Sequence, residues 1–182
     1  MGQAMLTARL RSALGAGADD LVRVTSAGTY GLVGHPIEAH AMTVLGEMGV
    51  VPDEFAAREL GSDILAASDL VLTATREHRA AAVSLMPRGS RRTFTIREFA
   101  RLLGAVDVSE VTGDDPHARA VALVDAAAAQ RGYVRPDKPG DDDVADPYRR
   151  PIDAFRVAAR QIDEATSMIA ERFAQTMQPA PS

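Results

Sequence analysis

The chain has 182 residues, of which 46% are hydrophobic and 25% charged, and these proportions are those of a globular protein rather than a disordered one. The formal net charge is −5 and the sequence has no basic blocks, which argues against a nucleic-acid partner. Because no apolar run reaches about 18 residues and no apolar leader follows Met1, we expect a cytoplasmic protein with no membrane partner. Cysteine is absent, which excludes disulfides, thiolate metal sites and a cysteine nucleophile within these residues.

The first quarter of the chain is predicted to contain two helices and a strand. Leucines at helical spacing predict a helix over residues 1–14. Residues 21–25, in which Val22 and Val24 alternate with polar residues, predict a strand. A glycine-rich turn over residues 28–34 then leads to a second helix that ends near Met48.

The middle of the chain continues this alternation. Short helices are predicted over residues 62–67, 76–86 and 97–103. The apolar run at 70–72 predicts a buried strand, and the alternating residues 93–96 predict a second strand. Strands that alternate with helices indicate βαβ units, which form a parallel sheet with helices on its faces.

The last third is predicted to be mostly helical. Residues 104–140 form an excursion that contains an Ala-rich helix over 116–131, and the acidic run 141–143 is predicted to be a solvated loop. A final helix shows the clearest periodicity, with apolar residues every three or four positions from Ile152 to Phe173. We expect one domain over residues 1–178 and a disordered tail over 179–182.

The tripeptide Asp146-Pro147-Tyr148 is the strongest local signal for chemistry. An aspartate before proline is held away from helical geometry, so its carboxylate can project from a turn and donate a proton to a leaving group. Tyr148 could stack on an aromatic substrate. The alternative is an ordinary Asp-Pro turn in which Tyr148 is a packing residue.

The glycine-rich segment 28–34 is a second candidate, because a loop between a strand and a helix N-terminus is suited to phosphate binding. It has neither the Walker nor the dinucleotide-binding spacing, so a plain mobile loop is the alternative. The four histidines have no metal-ligand spacing beyond His35 and His40, which are five residues apart, and no Gly-x-Ser-x-Gly elbow is present. We therefore expect no metal and no cofactor.

Several segments in chain order resemble one known family. The most specific are Ser26-Ala27-Gly28-Thr29 after the first predicted strand and Asp146-Pro147-Tyr148 before the last helix. Residues 1–10, 34–36, 57–60 and 68–72 extend the match. Together they resemble the low-molecular-weight protein tyrosine phosphatase family, and residues 104–140 are the looser part, where a helical segment is inserted.

The resemblance implies a flavodoxin-like α/β fold with a three-layer parallel sheet. It implies hydrolysis of a phosphotyrosine protein or a small aryl phosphate through a phosphocysteine, without a metal or cofactor. Asp146 matches the general acid and Tyr148 the ring-stacking position. Either Tyr30 or Leu32 would form the pocket wall, and Ser26 matches a serine that supports the phosphate loop.

The sequence departs from the family pattern at its front. Family members open with a strand and a Cys-x5-Arg phosphate loop, and no residues here match either. We therefore expect that the first central strand is missing, that Met1 is an internal methionine of a longer product, and that the chain as given is inactive. A non-catalytic phosphatase-like binding module is an alternative from another class. An arsenate reductase on the same fold would need further cysteines, which these residues do not supply.

Overall fold

Two short parallel strands and the helices around them form the core of the computed structural model, which describes residues 1–29, 34, 36–53 and 57–177. Turns of 3-10 helix occupy Gly15–Gly17, Pro87–Arg92 and Val108–Glu110. The regular elements are α1 (Gly2–Leu14), α2 (Ala18–Leu21), α3 (Ala39–Glu47), α4 (Ser62–Ala66), β1 (Val71–Thr73), α5 (Arg76–Leu85), β2 (Thr93–Thr95), α6 (Ile96–Leu103), α7 (Pro116–Ala129) and α8 (Ile152–Met177).

Strands β1 and β2 and the intervening helix α5 form a βαβ unit, as predicted. Val71 pairs with Thr93, and Thr73 pairs with Thr95. The buried side chain of Phe94 lies in the middle of β2. At the end of β2 the chain turns directly into α6, because the Thr95 hydroxyl accepts the Glu98 N–H and the Glu98 carboxylate accepts the Thr95 N–H.

The prediction of a strand over residues 21–25 is wrong. Leu21 ends the short helix α2, and residues 22–27 form no strand. The backbone at Val22 is extended, with φ −136° and ψ 117°. A strand also needs a hydrogen-bonded neighbour, and within the described residues the first such pairing is an isolated parallel bridge between Gly28 and Glu59. In the part of the chain that the structure describes, the parallel pairing consists of the two strands β1 and β2 and this isolated bridge.

Helix α8 is the centre of the hydrophobic core, and α1, α3, α6 and α7 pack against it. The predicted apolar face of α8 is confirmed, since Phe155, Ile162, Ile169 and Phe173 are buried. Phe99 of α6 is fully buried and packs against Phe94 of β2, with ring centroids 4.9 Å apart. This packing holds the sheet and the last helix as one core.

The other predicted helices are present with small shifts at their ends. Helix α3 begins at Ala39, where the Glu38 carboxylate accepts the Ala41 N–H at 3.0 Å, rather than inside the glycine-rich turn. In the segment 104–140, helix α7 buries Leu123 and Ala127 in the same core. That the segment 104–140 is an insertion stays a prediction. The tail predicted over 179–182 lies outside the described residues. Within the described part of the chain, no helix combines the length and apolar character needed to cross a bilayer.

Candidate active site

The segment Asp146-Pro147-Tyr148 forms a tight turn just before α8. The Tyr148 N–H donates to Asp146 Oδ1 at 3.0 Å, and the Arg150 N–H donates to the Pro147 carbonyl at 2.9 Å. These bonds fix the turn while the Asp146 carboxylate stays exposed and 62% of the Tyr148 surface stays accessible. Tyr148 is therefore not a core packing residue, and a role for the Asp146 carboxylate in proton transfer stays a prediction.

Two backbone N–H groups anchor this turn, one to the end of β1 and one to helix α8. The Val144 N–H donates to the carbonyl of Ala74, the residue that follows β1, at 2.9 Å. The Ala145 N–H donates to Oε1 of Gln161 in α8 at 2.8 Å. Asp146 thus lies at the carboxyl end of the parallel strands, the edge at which open α/β sheets bind their ligands.

The acidic run before the turn is not a solvated loop, so that prediction is wrong at Asp142 and Asp143. Asp142 is only 8% exposed, and its carboxylate accepts two hydrogen bonds from Arg101, from Nε at 3.0 Å and Nη2 at 2.7 Å. Its carbonyl accepts the Thr95 hydroxyl at 2.5 Å. Asp142 therefore joins the loop to the end of β2 and to α6.

Asp143 joins the same loop to the start of α5. Its carboxylate accepts the backbone N–H of Arg76 at 2.7 Å and the Arg76 guanidinium at 2.9 Å. Its carbonyl accepts a bond from Arg97 at 3.0 Å. The hydrogen bonds from Arg76 hold the pKa of the Asp143 carboxyl below its usual range. Asp142 and Asp143 thus hold the loop before Asp146 in place, and sequence analysis missed this because their partners are remote along the chain.

Ser26 lies beside the first turn of α1. Its hydroxyl donates to Oε1 of Gln3 at 2.5 Å, and its carbonyl accepts Nε of Arg58 at 2.8 Å. No described side chain caps the N-terminus of α1. Among the described residues no hydrogen bond or ion pair joins Ser26 to the Asp146 turn, so the structure shows these two candidates as separate groups.

The structure provides less information on the remaining predicted site positions. Tyr30 and Leu32 lie outside the described residues. The glycine-rich segment is described only near its ends, where Gly28 bridges to Glu59 and the Gly34 N–H donates to the Ala57 carbonyl at 2.8 Å. Within the described ranges, no group of three or more His, Asp or Glu residues is arranged to hold a metal ion.

The sequence of this chain is similar to those of known phosphatases. Residues 1–130 match the family model for low molecular weight phosphotyrosine protein phosphatase. The low molecular weight protein-tyrosine-phosphatase Etp of Escherichia coli is 36% identical over 78 residues, which cover 43% of this chain and 53% of Etp. The chain thus spans about half the length of this curated relative.

Several solved structures share the fold. The tyrosine phosphatase AmsI of Erwinia amylovora aligns with a TM-score of 0.62 at 19% identity over 92% of this chain and 79% of that one. The arginine phosphatase YwlE of Geobacillus stearothermophilus aligns with a TM-score of 0.60 at 24% identity over 93% of this chain and 82% of that one. At these identities the alignments establish the α/β fold alone.

The family match covers well over half of the 182 residues and includes both strands of the sheet. The fold of the described residues agrees with it, since solved phosphatases of this kind superpose on nearly the whole chain. This chain belongs to the low molecular weight phosphotyrosine protein phosphatase family.

Proposed function

We propose that this chain carries the general acid and the substrate-stacking residue of a low-molecular-weight protein tyrosine phosphatase that hydrolyses aryl phosphate monoesters. One observation supports this most directly: the exposed Asp146 carboxylate is fixed in a turn at the carboxyl end of β1, next to the exposed Tyr148 ring. A proton donor and an aromatic surface side by side are what an aryl phosphate leaving group needs.

The proposed reaction has two steps. A cysteine thiolate attacks phosphorus, the bond from phosphorus to the aryl oxygen breaks, and Asp146 gives its proton to the departing oxygen. In the second step Asp146, now a carboxylate, accepts a proton from the water that attacks the phosphocysteine, and phosphate and thiolate are released. In both steps Asp146 acts at an oxygen bonded to phosphorus.

The nucleophile has to come from residues other than these, because none of the 182 is cysteine. We propose that the chain by itself does not turn over aryl phosphates. The test is a p-nitrophenyl phosphate assay on the purified 182-residue protein, in which release of p-nitrophenol at the rate of the buffer blank is expected. Enzyme-dependent turnover would contradict the proposal.

We also propose that a further parallel strand fits between residues 22–27 and β1. Four apolar side chains there contact the core yet remain only partly buried, namely Val22, Val24, Leu70 and Leu72. A strand between them would cover their exposed surface and would end in a loop leading to α1, beside Ser26. In that arrangement the Ser26 hydroxyl would support a phosphate-binding loop.

A protein that carries a strand and a Cys-x5-Arg loop ahead of Met1 tests the general acid. Asp146→Asn should lower its kcat for phenyl phosphate by about 10²- to 10⁴-fold, the usual contribution of general acid catalysis. The loss should be smaller for p-nitrophenyl phosphate, because its leaving group needs less protonation. Asp137→Asn, at an exposed aspartate in the loop before the acidic run, is the matched control and should leave kcat unchanged. An unchanged kcat in Asp146→Asn would refute the assignment.

A non-catalytic binding module is the second candidate, and the absence of cysteine from these 182 residues is compatible with it. Such a protein would bind an aryl phosphate through Tyr148 without cleaving it. Turnover by the protein with the added loop, lost on Asp146→Asn, would exclude this candidate. Binding of phenyl phosphate with no turnover in that protein would support it.

A further inference from the structure

Two consecutive arginines follow the candidate active-site turn directly. Arg149 and Arg150 are both exposed, although the chain as a whole carries a net charge of −5. Within the described residues neither guanidinium forms an ion pair with a carboxylate, whereas Arg76, Arg101 and Arg156 each do. The two cations are therefore available to groups that are not part of the fold described here.

The first of these arginines has an unusual backbone conformation and lies beside the proposed substrate surface. Arg149 has φ 57°, the only non-glycine residue with positive φ among those described. This left-handed conformation is unfavourable for a residue with a side chain, and it persists here within the turn closed by the bond from the Arg150 N–H to the Pro147 carbonyl. The Arg149 guanidinium lies over the Tyr148 ring, 5.2 Å from its centroid.

We propose that Arg149 and Arg150 form a recognition surface for carboxylates that flank the phosphotyrosine of an acidic peptide substrate. This inference rests on the proposed function, because it takes Tyr148 as the surface on which the substrate ring stacks. With a phosphotyrosine ring beside Tyr148, the neighbouring residues of an extended peptide come within reach of both guanidiniums. Guanidinium groups form paired hydrogen bonds with carboxylates, which gives directional recognition as well as charge attraction.

The size of the effect follows from the exposure of the site. Solvent-exposed ion pairs are weak, so each carboxylate should tighten binding by about two- to fivefold at low salt. Because the pairs are exposed, the preference should fall as salt is added. An acidic peptide with carboxylates on both sides of the phosphotyrosine should therefore bind about tenfold more tightly than a neutral one.

The test is a titration of the ¹⁵N-labelled 182-residue chain with two phosphotyrosine peptides, followed by NMR. One peptide has aspartates and glutamates on both sides of the phosphotyrosine, and the other has asparagines and glutamines at the same positions. We expect shifts at the amides of Tyr148 and Arg150 with the acidic peptide at a lower concentration than with the neutral one. The double variant Arg149→Gln/Arg150→Gln should remove the difference.

Arg88→Gln is the matched control. Arg88 is exposed, forms no ion pair with a described carboxylate, and lies in the 3-10 turn before β2, at the opposite end of the strands. The substitution Arg88→Gln removes one arginine charge, as each change in the double variant does, and should keep the preference for the acidic peptide. Equal affinity of the two peptides for the natural chain, or no shift with either, would overturn the inference. The proposed function is judged separately, by the turnover of the protein with the added loop.

Discussion

The carboxylate of Asp143 accepts the backbone N–H of Arg76 at 2.7 Å and its guanidinium at 2.9 Å, across 67 residues of sequence. Arg76 is the first residue of α5 and follows β1 after two intervening residues, and Asp143 lies three residues before Asp146. This pair ties the loop that carries the candidate general acid to the carboxyl end of the sheet. The position of Asp146 is thus set by the acidic residues that precede it.

Loss of this pair should loosen the loop while the core stays folded. In Asp143→Asn the charged hydrogen bonds from Arg76 are weakened, so we expect faster amide hydrogen exchange at Val144 and Ala145. Amides of α8 beyond its first turns should keep their protection. Asp137→Asn, which removes an exposed charge in the same region, is the control and should leave all of these rates unchanged. Unchanged exchange at Val144 in Asp143→Asn would show that the pair does not hold the loop.

The Asp143 pair should also give stability a specific pH dependence. The Arg76 hydrogen bonds lower the pKa of the Asp143 carboxyl from its ordinary value of 3.8, so the folded state favours the ionised form. The stabilisation is then present above about pH 4 and is lost as the pH falls through the lowered pKa. The difference in urea midpoint between the natural chain and Asp143→Asn should be constant from neutral pH to about pH 5 and shrink in more acidic solution. A difference that grows on acidification would contradict this assignment.

The Arg101–Asp142 pair should contribute more to overall stability, because it is less accessible to water. Asp142 is 8% exposed, so Arg101→Met leaves an almost buried carboxylate without its cation. We expect the free energy of unfolding to fall by about 3 kcal/mol, the lower end of the range for breaking a buried pair. Urea denaturation measures the loss. Arg88→Met is the surface control, and the double variant Arg101→Met/Asp142→Asn should be less destabilised than the sum of its single changes.

The Ser26 hydroxyl should stabilise the junction between residues 22–27 and α1. In Ser26→Ala the side-chain amide oxygen Oε1 of Gln3 loses its donor in a partly buried position, which should cost about 1 kcal/mol of unfolding free energy. Ser12→Ala, on the exposed side of α1, removes a hydroxyl that has no hydrogen bond to a described residue and should be neutral or slightly stabilising. Equal stability of the two variants would indicate that the Ser26 bond contributes nothing.

Sequence reasoning located most of the elements and one part of the candidate site. The buried face of α8 follows from local periodicity, because burial on one face of a helix repeats every three or four residues. The alternating residue pattern indicates the strand at Thr93–Thr95, although all three of its residues are buried in the fold. The projecting Asp146 carboxylate was also predictable, since a proline restricts the residue before it whatever surrounds the turn.

The pairing of strands and the partners of charged side chains depend on the tertiary structure and cannot be predicted from periodicity in the sequence. The residues 22–27 have a strand-like pattern, but a strand exists only when a neighbouring strand accepts its hydrogen bonds, and the described chain brings none to it. Asp142 and Asp143 resemble a solvated acidic run, yet Arg101 and Arg76 meet them because β1, α5 and α6 converge at one edge of the sheet. The partner of a charged side chain is set by the distance between the two groups in the folded protein. Because that distance is independent of their separation in the sequence, the sequence alone does not identify the pair.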